Sequence, residues 1–67
     1  MEITVNQQHR TIPENYSVEQ LLASLMPDMQ KGIAVAVNQT IVPKSEWQVY
    51  KLQANDKVML IKATQGG

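Results

Sequence analysis

One segment of this chain carries the spacing of a helix face, and it constrains everything around it. From Ser17 onward, Val18, Leu21, Leu22, Leu25 and Met26 fall at i, i+3, i+4, i+7 and i+8, a single apolar stripe. Its start is marked twice. Ser17 with Gln20 makes a capping box, and Tyr16 and Leu21 stand where a hydrophobic staple would lie. Pro27 ends it. A lone amphipathic helix has to bury its stripe against something else, and the rest of the chain reads as strands and turns. The economical solution is an α+β fold, one main helix packed across one face of a mixed β-sheet.

The strands follow from alternation and punctuation. Ile3 and Val5 alternate, apolar character returns at Ile12, and "NQQHR" lies between, which predicts a β-hairpin joined by a short turn. Pro13 with Glu14-Asn15 breaks the second strand. Gly32 opens "IAVAV", Ile33 to Val37, a near-continuous apolar run that predicts a strand buried on both faces. Asn38-Gln39 turns the chain into "TIV", although Asn-Gly would be the stronger signal. "KSEW" after Pro43 predicts a single helical turn with Trp47 folded onto the core. Asn55-Asp56 signals a turn in which Asn takes the left-handed conformation, and "VMLI", Val58 to Ile61, is the last strand. Whether the first hairpin and the last strand share a sheet depends on long-range pairing.

Size and charge narrow the function classes. At 67 residues the chain is expected to be a single domain, residues 1–67, with 63–67 as a flexible C-terminal tail. A core of this size leaves about 3–5 kcal/mol of net stability without disulfides or metal. There is no cysteine and one histidine, His9, so packing alone must hold the fold, and cysteine-based nucleophiles and metal sites are excluded. Six basic residues balance six acidic ones with no basic run, which argues against nucleic-acid and membrane-surface partners. "MEITVNQQHR" has neither the charge pattern of a signal peptide nor the length of a membrane span. A cytoplasmic protein is the expectation.

The chain closes on "IKATQGG". Ala63 to Gly67 lack strand alternation, and five extended residues reach about 17 Å, enough to enter another protein's active site. Gly66 and Gly67 have no Cβ, so they can pass a narrow channel and present the terminal carbonyl to attack. A terminal carboxylate has an ordinary pKa of roughly 3.3–3.7, so it is an anion and a poor electrophile at neutral pH. It needs activation, for which transfer to the α-phosphate of ATP is the usual route. A frayed end that happens to finish in glycine stands beside this reading.

Other residues are weighed against bland roles. If Val58 and Leu60 face the helix, Met59 and Ile61 face away and form a docking patch beside the tail. Trp47 is expected in the core, Lys44 in solvent, and His9 in a turn with no second candidate ligand. No metal site, Ser-His-Asp set or phosphate-binding glycine loop is read here, and no catalytic residue is assigned.

"VNQTIVPKSEW", Val37 to Trp47, resembles the segment after the third strand in the ThiS family of sulfur carriers. "IPENYSVEQLL" and "NDKVMLIKATQGG" are similar to that family's helix entry and closing strand with its Gly-Gly end. The likeness spans nearly the whole chain. Asn55 stands where relatives often have Gly, and Thr64-Gln65 replace small or apolar residues. The resemblance implies a ubiquitin-like β-grasp fold and a carrier that is no enzyme itself. Its terminal carboxylate would be adenylated by a ThiF-like enzyme that uses the ATP, with no cofactor bound by the carrier. A sulfur-donor protein would convert it to a thiocarboxylate, which a ThiG-like thiazole synthase uses in thiamin biosynthesis. Gly67 would bear the sulfur and Gly66 give it clearance. A donor like the molybdopterin-synthase small subunit, a ubiquitin-like protein modifier and an inert β-grasp interaction module are the alternatives.

Overall fold

The computed structural model describes residues 1–25 and 32–62. In chain order these form β1 (Glu2–Val5), β2 (Gln8–Thr11), helix α1 (Val18–Leu25), β3 (Ile33–Val37), β4 (Thr40–Val42), a 3₁₀ turn (Lys44–Glu46) and β5 (Lys57–Lys62). The strands make one five-stranded sheet in the order β2-β1-β5-β3-β4. Both flanking hairpins are antiparallel, and β5 runs parallel to β1 and antiparallel to β3. The first hairpin and the last strand therefore do share a sheet. One helix with a mixed sheet is the β-grasp arrangement that the resemblance implies.

The helix begins where the capping box places it. Ser17 N–H donates to Gln20 Oε1 at 2.9 Å, and Gln20 N–H donates back to Ser17 Oγ at 3.1 Å. The two other free amides of the first turn are met from the 47–50 segment: Val18 N–H donates to the Tyr50 carbonyl and Glu19 N–H to that of Trp47. The helix start thus leaves none of its first amides without an acceptor, as a buried helix end requires. Val18, Leu21 and Leu22 are buried, and Leu25 packs against the core at its edge. Met26 and Pro27, the expected end of the stripe, lie outside the described residues.

Ile3 and Val5 from β1, Val35 and Val37 from β3, Val42 from β4 and Val58 from β5 meet the helix stripe, with Ile12, Trp47 and Leu52 closing the sides. Each such aliphatic side chain contributes about 1.5–3 kcal/mol on burial. Trp47 is in the core, and its indole Nε1–H donates to the Val42 carbonyl at 2.8 Å.

Two expectations are corrected. The first turn is shorter than "NQQHR": Asn6 and Gln7 alone carry the turn, with φ of 49° and 71°. Gln8, His9 and Arg10 belong to β2, where His9 pairs with Thr4. Polar residues fill that strand because it is the sheet edge, exposed throughout. Strand β3, in turn, is covered by the helix on one face only, although its far face is half-buried at Ala34 and buried at Ala36. Val35 and Val37 face the helix, so alternation puts Ala34 and Ala36 on the opposite face, where short side chains are shielded by larger neighbours.

Candidate functional site

Strand β5 lies between β1 and β3 and carries the chain towards residues 63–67. Val58 is buried and Leu60 packs against the core, so Met59 and Ile61 point away from the helix, 42% and 48% exposed. That alternation is what the sequence predicts. The register then decides their neighbours: Met59 is opposite Ala36, Ile61 is opposite Ala34, and across β3 Ala36 is opposite Ile41. Directly paired residues share a face and touch. Ile41, 59% exposed, therefore completes an apolar row Ile41–Ala36–Met59 across three strands, with Ala34–Ile61 beside it.

Ile41, Ala34 and Ala36 were not singled out by sequence reasoning. The signal for Ile41 was present in Thr40-Ile41-Val42, where one apolar residue facing the core forces the other outward. The alanines were hidden in an apolar run that two-sided burial explained equally well.

At the start of β5 the row meets a polar border. Thr4, Gln7, Gln39 and Lys57 line an open depression with a volume of about 580 Å³ that Met59 also borders. The two hairpin turns hold this border in place through asparagine side chains. Asn38 Oδ1 accepts from Lys57 N–H at 2.9 Å and its Nδ2 donates to Asp56 Oδ1 at 2.9 Å. Asn6 Oδ1 accepts from Leu60 N–H at 2.9 Å. Asp56, buried, also accepts from Gln53 N–H at 2.7 Å. Strand β5 is thus clamped from both sides.

The remaining candidates separate from this face. His9 stands on edge strand β2, its Nδ1 4.0 Å from Glu2 Oε1 with both side chains exposed. Lys44 is exposed on the 3₁₀ turn. Among the described residues no group of three His, Cys, Asp or Glu side chains comes together to hold a metal, and no helix is long and apolar enough to cross a membrane. Gly66 and Gly67, with the rest of the expected tail, lie outside the described residues.

A sequence model of the ThiS family matches residues 1–67. The chain is 34% identical over 67 residues to the sulfur carrier protein ThiS of Escherichia coli K12, covering all of both chains. Among solved structures, the crystal structure of thiamine biosynthesis protein ThiS from Geobacter metallireducens superimposes with a TM-score of 0.87 at 23% identity, again over all of both chains. An NMR structure of a thiamine biosynthesis protein from the same organism gives 0.78 at 23% identity, covering all of this chain and 88% of the other. These two likenesses establish the fold.

Proposed function

The chain belongs to the ThiS family, and from that premise we propose that it is a sulfur carrier, a co-substrate on which other proteins act. The full-length likeness to a sulfur carrier, in a chain that closes on Gly66-Gly67, is the observation that carries this reading. In the proposed cycle a ThiF-like enzyme transfers the Gly67 carboxylate to the α-phosphate of ATP, releasing pyrophosphate. Hydrosulfide, supplied by a sulfur-donor protein, then adds to the carbonyl and gives up its proton to solvent. The new C–S bond forms as the C–O bond to AMP breaks, and Gly67 is left as a thiocarboxylate. A ThiG-like synthase takes the sulfur for the thiazole of thiamin.

Each part of this chain has a task in that cycle. Gly66 lacks the Cβ that would block a channel built for an extended chain end. Met59 and Ile61, with Ile41, provide the apolar contact through which a partner holds the domain while the tail is in its active site. Exposed apolar groups gathered into one patch, rather than scattered, are the usual mark of such a contact.

Intact-mass measurement tests the proposal. After incubation with a ThiF-like enzyme, ATP and sulfide, we expect one terminal oxygen replaced by sulfur. Conjugates on other proteins would instead identify a modifier, and an unchanged mass an inert module; either result would overturn the carrier reading.

A further inference from the structure

Among the described residues strand β2 is an uncovered edge of the sheet, and its free backbone groups can be identified. The Met1 ammonium donates to the Ile12 carbonyl at 2.6 Å, and Ile12 N–H donates to the Met1 carbonyl at 2.8 Å. In an antiparallel pair such doubly bonded positions alternate, so Arg10 opposite Ile3 and Gln8 opposite Val5 are also bonded to β1. The N–H and C=O groups of His9 and Thr11 consequently point out of the sheet edge. Unpaired rows of this kind are templates for another strand.

Beside this edge the sheet and the helix leave a groove of about 250 Å³. Buried Ile12 and Leu21 form its floor, Tyr16 and Leu25 its half-buried walls, and Ser24 and Arg10 its polar rim. The volume is below the roughly 300–1,000 Å³ of small-molecule sites, but it suits side chains entering from an adjacent strand. Arg10 shares the helix-side face because it pairs with core residue Ile3, and among the described residues it makes no ion pair.

We propose that the β2 edge and the β2–α1 groove receive an extended acidic segment of another protein as a sixth strand. Its backbone would pair with His9 and Thr11, aliphatic side chains at alternate positions would enter the groove, and a carboxylate would meet Arg10. A second copy of this chain fits poorly. The symmetric antiparallel register that uses both His9 and Thr11 sets Arg10 directly opposite its own copy, and like charges there are destabilising. The segment 63–67, Ala-Thr-Gln-Gly-Gly, has no aliphatic alternation to offer. This inference does not rest on the sulfur-carrier reading, because β1 stands between the β2 edge and strand β5, which carries Met59 and Ile61.

Selection of octapeptides from a random displayed library against the full chain tests it. Enriched sequences should alternate aliphatic residues and contain Asp or Glu. With a selected peptide at saturation, amide exchange at His9 and Thr11 should slow at least tenfold, and amide shifts should map to Tyr16 and Leu25. Arg10→Glu should weaken that peptide about fivefold, the scale of an exposed ion pair, and replacing the peptide's acid by lysine should restore binding to the variant. No enrichment, unchanged exchange at His9 and Thr11, or a footprint on Met59 and Ile61 would overturn the proposal. So would indifference to the Arg10 charge.

Discussion

At the scale of single residues, backbone conformation and hydrogen-bond partners govern what can be changed. Gln7 and Gln39 both hold φ of 71°, in the second position of two-residue hairpin turns whose first residue is Asn. Asn tolerates the left-handed region, but a residue like Gln costs about 1–2 kcal/mol there, and Gly costs little. We expect Gln39→Gly to raise stability by about 0.5–1 kcal/mol after the added freedom of the unfolded chain is counted, measured as a higher urea midpoint. Asn55, φ 70°, takes the left-handed conformation its turn requires, which Asn tolerates. Trp47 behaves differently. Trp47→Phe leaves the Val42 carbonyl without its indole donor and should cost about 2 kcal/mol, within the range for a buried unsatisfied acceptor. Denaturation followed by far-UV circular dichroism reads it, since the variant has no tryptophan fluorescence.

At the scale of elements, α1 is a short helix whose start is held by side-chain and backbone acceptors. Its eight residues are too few to persist on their own propensity. The reciprocal Ser17–Gln20 bonds and the carbonyls of Trp47 and Tyr50 therefore matter more than in a longer helix. Ser17→Ala removes one member of that set at a buried position and should destabilise the fold by about 1 kcal/mol, or several degrees in melting temperature for a domain of this size. Gln20→Ala removes the reciprocal acceptor, and the double variant should lose less than the sum of the two single losses, because the two side chains act as one unit. The sheet uses a parallel device: "VNQ" occurs at both hairpins, Val5-Asn6-Gln7 and Val37-Asn38-Gln39, and each Asn side chain accepts an amide of β5.

At the scale of the whole molecule, one sheet face is occupied by the helix and the other carries the apolar row. Substitutions on the row leave the core intact. Met59→Lys and Ile61→Lys should each change stability by less than about 0.5 kcal/mol, while weakening binding to an adenylating partner at least tenfold by calorimetry. Removing Gly67 should abolish sulfur loading with the melting temperature unchanged; loading by the shortened chain would contradict the role proposed for the terminus.

Periodicity and local chemistry were enough, in the sequence alone, to mark the helix start at Ser17, the inward turn of Trp47, the turn at Asn55-Asp56 and the outward side of Met59 and Ile61, since each depends on neighbours within a few positions. The first hairpin was legible too, but Gln8, His9 and Arg10 of β2 read as part of its turn, because polar residues on an edge strand with no core of their own resemble a loop. Tertiary structure alone decided that β5 sits between β1 and β3, that Ile41 joins Met59 through Ala36, and that the helix covers only one face of "IAVAV". Strand order and register come from pairings between residues tens of positions apart, and the energy that selects among them is the burial of the shared core, which no local stretch of sequence contains.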